Sequence, residues 1–422
     1  MATRTRAGRA TTKRAKAKRA TAKRLKTTLA KGATGRGGST VKRGTVSRGR
    51  SRAAASGPQV LVMVGTMKGA FLFWSDARRR TWRVDGPHFP GETVYAIAFD
   101  GRGGRRRILA APRSWHWGAV IRTSDDLGRT WSSPERKNVR FPEGSGASLV
   151  NIWQIAPGPE SSPDLLYAGV EPHCLFRSTD GGDTWAPVEA FLTHEHRARW
   201  TPGAGGMCLH TIIQDPANAD RIGVAMSTGG FYRSDDGGRT WRARNVGVRA
   251  EFLPDKHPEF GQCVHKVSSH PSRPGTLFLQ NHWGLYRSDD WGDSWKDIAG
   301  GCREVPSDFG FCMQVHPHDR DTAYIVPLTS DGFRCTPDAR LRVYRTRNGG
   351  RNWEALTRGL PQHGAYETVL RDAMSTDAAR PAGVYFGTRS GKLFGSANGG
   401  DAWSEMANGL PPIVCVRAAV VA

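Results

Sequence analysis

A short segment that ends in tryptophan recurs seven times along the chain at a nearly constant interval. The fourth copy reads SDDGGRTW at 234–241, and the seven tryptophans fall at positions 82, 131, 185, 241, 295, 353 and 403. Successive tryptophans are therefore 49 to 58 residues apart. Self-similarity at a fixed period of this size is typical of a repeat architecture. The sequence predicts one repeat domain instead of several unrelated ones.

Each copy has the composition of a tight hairpin turn. Glycine adopts the positive φ that such turns require, and serine and aspartate side chains bond the backbone of the turn. The tryptophan is expected to bury its ring between neighbouring sheets. A calcium loop of the EF-hand type would need a longer ligand series with a distal glutamate. We assign a structural role to the Ser, Asp and Trp of the four complete copies: Ser124, Asp126, Trp131, Ser178, Asp180, Trp185, Ser234, Asp236, Trp241, Ser288, Asp290 and Trp295.

The residues around each copy form short runs that read as strands. In the fourth repeat these runs lie at 208–215, 221–228, 230–234 and 240–244. Four short strands per repeat, repeated radially, are the pattern of a β-propeller. The sequence therefore predicts an all-β, seven-bladed propeller over residues 58–422.

The two ends of this domain are predicted to complete one blade together. The first repeat has only three predicted strands, at 60–66, 69–75 and 81–84, whereas the last copy is followed by a surplus apolar segment at 413–422. We predict that this segment becomes the innermost strand of the first blade. Such a closure would remove an open sheet edge.

Basic charge is concentrated in the first 57 residues. They contain 18 Lys and Arg and no acidic residue, whereas the rest of the chain has 43 basic and 38 acidic residues. Because the segment has little to bury and repels itself, we expect it to be disordered in isolation. We interpret it as an arm that binds nucleic acid or another polyanion through phosphate contacts. A solubilising extension, an over-extended start and an Arg-rich transit peptide are the alternatives.

Composition argues against several protein classes. No apolar run approaches the roughly 18 residues of a membrane-spanning helix, and the basic N-terminus lacks the apolar core of a secretory signal peptide. The seven cysteines form no CxxC pair, which favours free thiols in a reducing compartment. We expect a monomeric, cytoplasmic protein without a membrane span and without a cofactor.

The seven copies resemble the Asp-box repeat, also called the bacterial neuraminidase repeat. The resemblance covers nearly all of 58–422, and stretches such as TPGAGGMCLHTI resemble bacterial propellers labelled sialidase-like or glycosyl hydrolase-like. It implies the propeller fold but no single function, because Asp boxes occur in sialidases, xyloglucan-active glycoside hydrolases, sortilin-type receptors and photosystem II assembly factors. The Phe/Tyr-Arg-Ile-Pro motif of sialidases is absent, its nearest string being GFRCTP at 332–337. The absence of this motif argues against sialic-acid hydrolysis.

The predicted binding face lies opposite the boxes. It is formed by the loops between blades and the loops that join the second and third strands. Here these loops carry His and Trp where a plain turn would carry Ser, Gly or Asn. Aromatic rings beside hydrogen-bonding groups suit a sugar or another polar ring ligand. The predicted ligand-binding residues of the loops are Trp115, His116, Trp117, Asn281, His282 and Arg334.

The innermost strands are predicted to place a ring of side chains at the top of the central channel. Aligned on their terminal turns, they give Tyr95, Asn151, His210, His265, Phe311 and Asp372. His210 and His265 each lie two residues after a cysteine, and His and Cys are suitable metal ligands. However, β alternation alone places both side chains on one face. We therefore predict hydrogen-bonded histidines and packed thiols, with no metal.

Carboxylates on the predicted binding face are the candidates for catalysis. Glycoside hydrolysis needs two of them, about 5 Å apart for retention and roughly 6.5–9.5 Å apart for inversion. We nominate Glu171, Asp308 and Asp372. Arg334 and Arg371 are predicted either to bind a substrate carboxylate or to pair with neighbouring acids.

Two functions stay open at this point. The first is a binding or assembly scaffold for a carbohydrate or protein ligand, favoured by the basic tail and by the absence of a complete catalytic motif. The alternative is a sialidase-like glycoside hydrolase that acts through paired carboxylates, favoured by the composition of the predicted binding face and by the resemblance.

Overall fold

The computed structural model describes residues 57–136, 139–299 and 304–422. Residues 1–56, and with them nearly all of the predicted polyanion-binding tail, lie outside the described residues, as does Cys302. The remaining six cysteines are all free thiols.

The described residues form strands with very little helix. In chain order the strands are β1 Gln59–Thr66, β2 Gly69–Asp76, β3 Arg83–His88, β4 Thr93–Asp100, β5 Arg107–Ser114, β6 Gly118–Ala119, β7 Arg122–Ser124, β8 Asn151–Pro157, β9 Leu166–Glu171, β10 Cys174–Ser178, β11 Ala186–Pro187, β12 Leu209–Asp215, β13 Asn218–Met226, β14 Gly230–Ser234, β15 Arg242–Ala243, β16 Val264–His270, β17 Arg273–Asn281, β18 Leu285–Ser288, β19 Lys296–Asp297, β20 Gly310–Val315, β21 Ala323–Pro327, β22 Val343–Thr346, β23 Glu354–Leu356, β24 Met374–Thr376, β25 Val384–Gly387, β26 Leu393–Ser396, β27 Ser404–Ala407 and β28 Ile413–Val421.

One α-helical turn and four 3-10 turns lie between these strands. They are α1 Glu189–Leu192 and the 3-10 turns Arg102–Gly104, Pro134–Arg136, Arg197–Arg199 and Pro337–Ala339. None of these described helices has the length and apolar character to cross a bilayer.

The strands form seven antiparallel sheets, which are the seven predicted blades. Six of them contain four strands in simple up-and-down order. Blade two differs, because its third strand is split into β6 and β7 and no fourth strand follows among the described residues. There the chain stays beside β7 through Ser132, whose amide donates to the Thr123 carbonyl at 2.9 Å. The seven-bladed prediction is confirmed.

The ring is closed by the C-terminal strand, as the sequence predicts. β28 pairs antiparallel with β1 along its length, from Gln59↔Val421 to Thr66↔Ile413, and is the innermost strand of blade one. On its other side, the Val416 amide donates to the Asp372 carbonyl of blade seven at 2.8 Å.

A buried arginine from the first, degraded box adds a second closure that the sequence does not reveal. The Arg79 guanidinium donates to both carboxylate oxygens of Asp377 at 3.1 Å. Because Arg79 belongs to blade one and Asp377 to blade seven, this ion pair joins the first and last repeats.

The complete boxes are hairpin turns held by their own side chains, as predicted. In the fourth box the Ser234 hydroxyl donates to Asp236 Oδ1 at 2.8 Å and accepts from the Gly238 amide at 2.8 Å. Asp236 accepts from the Thr240 amide at 2.9 Å and from its hydroxyl at 2.7 Å. The same network recurs at Ser124/Asp126, Ser178/Asp180 and Ser288/Asp290.

Each box tryptophan packs toward the preceding blade. Trp241 is 5% exposed and its ring lies 4.8 Å from that of Phe191, which follows blade three. Trp295 is equally buried and lies 5.6 Å from Phe231 of blade four. Burial of aromatic surface between sheets is thus the contribution of the boxes to stability.

Candidate functional site

Bulges near the start of the innermost strands aim side chains into one end of the channel. The pairing register shifts between Ile152 and Gln154 in β8, between Leu209 and Thr211 in β12, and between Val264 and Lys266 in β16. β4 and β20 have similar shifts. A bulge leaves a residue unpaired in the ladder and redirects its side chain. The residues at these shifts are Tyr95, Ala96, Trp153, His210, His265, Phe311 and Cys312.

This ring differs from the predicted one in blade three. The bulged residue there is Trp153, whereas Asn151 stands two residues earlier, in register with Glu171. Asn151 is buried, and its side-chain oxygen has no hydrogen-bond partner among the described residues. The alignment on the strand end misses Trp153 because it assumes unbroken alternation.

Five half-buried or buried side chains meet at this end of the channel; we call them the channel-mouth cluster. It consists of Tyr95, Trp153, Glu171, Phe311 and Arg371. The rings of Tyr95 and Trp153 lie 4.6 Å apart, and the Trp153 indole donates to Glu171 Oε2 at 3.0 Å. The Arg371 guanidinium lies 5.6 Å from the Trp153 ring and 5.7 Å from the Phe311 ring. An arginine of blade seven thus lies between aromatic rings of blades three and six, and Tyr95 of blade two packs on the first of these rings.

Arg371 has unused hydrogen-bonding capacity. Its Nη1 faces Cys208 Sγ at 3.8 Å, a weak contact, and its Nε is buried with no hydrogen-bond partner among the described residues. No carboxylate of those residues lies within 4.0 Å of its guanidinium. A guanidinium held between two aromatic faces is therefore available to an incoming acceptor.

Asp372, a predicted catalytic acid, is a buried member of an ion triad. Its Oδ1 accepts from Lys266 Nζ at 2.7 Å and from Arg417 Nη2 at 2.5 Å. Burial would raise the pKa of this carboxyl, but the two cations hold it well below its usual range. A carboxylate that stays ionised between the buried Lys266 and the half-buried Arg417 cannot donate a proton, so its geometry favours a structural role. The channel beside Lys266 and Arg417 is a polar cavity of about 270 Å³.

The other two predicted acids are more accessible. Asp308 lies in the loop that enters blade six, with its Oδ2 3.6 Å from Arg249. Burial raises the pKa of Asp308, and Arg249 opposes that shift only in part. Asp308 therefore retains its proton more readily than an ordinary aspartate, the property that a general acid requires. Glu171, in contrast, ends β9 and has the Trp153 indole as its polar partner.

The predicted ligand-binding loops divide into exposed and engaged residues. Trp115 is 97% exposed at the tip of the β5–β6 hairpin, followed by His116 and Trp117, whose rings meet edge to face at 4.6 Å. Asn281 is fully buried and donates to the Arg249 carbonyl at 2.7 Å. Arg334 lies 5.5 Å above the Phe311 ring, next to the channel-mouth cluster.

The two predicted Cys-x-His strings have different surroundings. Both ring nitrogens of His210 are engaged, by Thr211 Oγ1 at 3.0 Å and by the Val264 carbonyl at 2.9 Å. By contrast, His265 places Nε2 3.5 Å from Cys263 Sγ, and its ring lies 5.3 Å from that of His282. Burial lowers the pKa of both His265 and His282, so both imidazoles are neutral at pH 7.

Several exposed aromatic residues of the same face are missing from the sequence prediction. They are Phe252, Phe333 and Tyr366, each about half exposed or more. They lie in loops between blades or between second and third strands. Their signal in the sequence is weak, because a single Phe or Tyr in a loop is as typical of a buried anchor as of a binding residue.

Fold and site together define a seven-bladed Asp-box β-propeller with an aromatic, arginine-containing channel mouth. Residues 232–243 match the BNR/Asp-box repeat family. The chain is 27% identical over 286 residues to the xyloglucanase Xgh74A of Acetivibrio thermocellus, covering 62% of this chain and 32% of that protein. It is 22% identical over 232 residues to a xyloglucanase of a Paenibacillus species, covering 49% and 22%.

The chain spans about a fifth to a third of the length of these curated relatives. Among solved structures it is similar to the GH74 enzyme of Niastella koreensis, with a TM-score of 0.46 at 16% identity. That likeness covers 74% of this chain and 45% of the other. The two curated relatives are both named xyloglucanases, at 22% and 27% identity.

Proposed function

We propose that this propeller is a carbohydrate-directed, glycoside-hydrolase-like protein that binds an oligosaccharide at the channel-mouth cluster. The observation that carries the proposal is Arg371, a guanidinium that has no carboxylate partner among the described residues and lies between the faces of Trp153 and Phe311. Sugar rings present apolar faces to aromatic residues and hydroxyl edges to donors. The similarity to xyloglucanases supports a β-glucan of the xyloglucan type as the first ligand to test.

In this proposal Asp308 and Glu171 are the two carboxylates that hydrolyse the glycosidic bond. Asp308 acts as the acid that protonates the leaving oxygen, since its carboxyl holds a proton more firmly than usual. Glu171 acts as the second carboxylate, oriented by the Trp153 indole. Asp372 takes no part, because Lys266 and Arg417 neutralise it.

The test is a panel of polysaccharides and oligosaccharides, xyloglucan first, incubated with the full chain. Binding is measured by calorimetry and hydrolysis by the release of reducing ends. We expect release from at least one β-glucan and a loss of about 100-fold or more in Glu171→Gln and Asp308→Asn. Binding by the wild type to none of the glycans would contradict the proposal.

The scaffold function remains the second candidate, and the ion triad at Asp372 favours it. With Asp372 held in this triad, Glu171 and Asp308 are the two catalytic candidates left, and of these only Glu171 belongs to the channel-mouth cluster. Under the scaffold function, binding is retained while no glycan yields reducing ends. The same panel therefore separates the two candidates.

The basic tail remains a separate proposal. With 18 basic residues and no acidic one in residues 1–57, we propose that it binds polyanions and that the affinity falls steeply with salt. Full-length chain and a 58–422 chain are compared on duplex DNA over a range of salt. Equal binding by both would contradict the proposal. Cytoplasmic location and the monomeric state likewise remain predictions.

A further inference from the structure

Three side chains at the top of blade five converge on one point. Cys263, His265 and His282 each offer a sulfur or nitrogen atom, and these three atoms lie within 4.8 Å of one another. Cys263 and His265 flank the first residue of β16, and His282 follows β17. The His282 amide donates to the Cys263 carbonyl at 3.0 Å, which fixes the two residues side by side.

One edge of this triangle already has the length of a tetrahedral zinc site. The distance from Cys263 Sγ to His265 Nε2 is 3.5 Å. For Zn–S of about 2.3 Å and Zn–N of about 2.0–2.1 Å at the tetrahedral angle, two ligand atoms stand about 3.6 Å apart. The other edges, up to 4.8 Å, would need to shorten by up to about 1.5 Å to reach tetrahedral ligand spacing.

Neighbouring groups orient both histidines as metal-binding histidines are usually oriented. His265 Nδ1 lies 2.5 Å from the Gly310 carbonyl, so it carries the proton and leaves the Nε2 lone pair toward Cys263. His282 Nε2 faces Asp331 Oδ2 at 3.4 Å. A carbonyl or carboxylate that holds one ring nitrogen fixes the tautomer and presents the other nitrogen to a metal.

We propose that Cys263, His265 and His282 bind a zinc-type divalent metal ion at the top of blade five. The Cys263 thiolate and the Asp331 carboxylate together balance the charge of the ion. The fourth position is left to water, since Asp331 in the 327–340 loop holds His282 Nε2. This site uses none of the catalytic candidates of the proposed carbohydrate function, although the His265 ring lies 4.6 Å from the ring of Phe311 in the channel-mouth cluster.

The adjacent blade supplies a natural control. Cys208 and His210 have the same spacing as Cys263 and His265, but both nitrogens of His210 are engaged and Cys208 Sγ lies 3.1 Å from Ser227 Oγ. Among the described residues no third ligand joins this string. We therefore expect Cys208→Ser to leave metal binding unchanged.

The experiment loads the full chain, stripped with a chelator, with Zn²⁺ or Co²⁺ alone. Bound metal is counted by mass spectrometry after gel filtration, and Co²⁺ is followed by its thiolate charge-transfer absorption. We expect about one ion per chain, with tetrahedral Co²⁺ bands. Cys263→Ser should abolish the charge-transfer band, and His282→Gln should weaken binding at least about 10-fold.

Folding of each variant is checked by circular dichroism. If Cys263→Ser does not fold, His282→Gln decides, because His282 lies at the surface end of the cluster with 15% of its side chain exposed. Uptake of the same amount of metal by wild type, Cys263→Ser and His282→Gln would assign it to surface histidines and overturn the proposal. Failure of the wild type to retain either ion would overturn it as well.

Discussion

The two faces of the propeller are built by opposite means. On the box face, the polar groups of each turn are paired within a few residues of one another, as with Ser234, Asp236 and Thr240. At the channel mouth, the polar groups come from different blades, and the buried Nε of Arg371 has no hydrogen-bond partner within the described part of the chain. Buried polar groups are normally paired. The difference indicates that the polar groups of the box turns stabilise the turns themselves, and it supports the proposal that a ligand binds at the channel mouth.

The degraded boxes also indicate that the polar side chains of the box turns are structural. Asn398 takes the place of aspartate in the last box, yet it accepts from the Ser396 hydroxyl at 2.8 Å and the Ala402 amide at 3.0 Å. The turn therefore needs an acceptor at this position and does not need a charge. Because the hydrogen bonds of the turn persist when aspartate is replaced by asparagine, we assign a structural role to the aspartates of the complete boxes.

The largest change in stability is expected from a box tryptophan. Trp241→Ala removes a ring that is 5% exposed between blades three and four, and we expect a loss of about 3–5 kcal/mol in the free energy of unfolding. Trp115→Ala on the other face, where the ring is 97% exposed, should change it by less than about 0.5 kcal/mol. Denaturant unfolding measures the free energy of unfolding of both variants. Equal losses would contradict the claim that the box tryptophans stabilise the fold and that Trp115 does not.

The ion triad is expected to contribute a similar amount. Asp372→Ala leaves the buried Lys266 and the half-buried Arg417 without their shared carboxylate, at a cost of about 3–5 kcal/mol. Because Arg417 lies in β28, unfolding should begin with loss of the C-terminal strand, which hydrogen exchange detects. An Asp372→Ala variant with unchanged stability would argue against the structural role that we assign to this acid.

A smaller effect is expected from the free arginine. Arg371→Ala should weaken glycan binding by about 10- to 100-fold, since hydrogen bonds from a charged donor contribute about 1.5–3 kcal/mol. Arg239→Ala, at an exposed position of the fourth box, is the matched control and should leave affinity unchanged. Calorimetry with the best glycan of the panel separates the two outcomes, and a loss shared by both variants would locate the ligand elsewhere.

The smallest effect concerns the charge of the boxes. Partial burial raises the pKa of Asp236, but hydrogen bonds from Thr240 and Ser234 outweigh it and lower the pKa to about 2. Since the folded-state pKa lies below the unfolded one, this contribution is present above about pH 4 and is lost as the pH falls toward 2. Asp236→Asn should therefore flatten the acid limb of the stability curve. Identical curves for wild type and variant would contradict this assignment.

The fold can be predicted from the sequence because the residues that determine each blade lie close together in the chain and recur in every repeat. The boxes, their spacing and the surplus segment at 413–422 suffice for seven blades and their closure. The side chains of the channel mouth are harder to predict. The bulge at Trp153 interrupts the regular alternation of β8, so an alignment that assumes this alternation selects Asn151 instead of Trp153. The partners of Asp372 lie 106 and 45 residues away in the chain, and no local pattern connects them.

The most direct test of the two-face account compares one carboxylate from each face in the same assay. Reducing-end release from the best β-glucan is measured for Glu171→Gln at the mouth and Asp236→Asn in a box, with folding of both confirmed. We predict a loss of about 100-fold or more for Glu171→Gln and wild-type activity for Asp236→Asn. Full activity in Glu171→Gln, or a comparable loss in Asp236→Asn, would contradict the claim that the chemistry lies opposite the boxes.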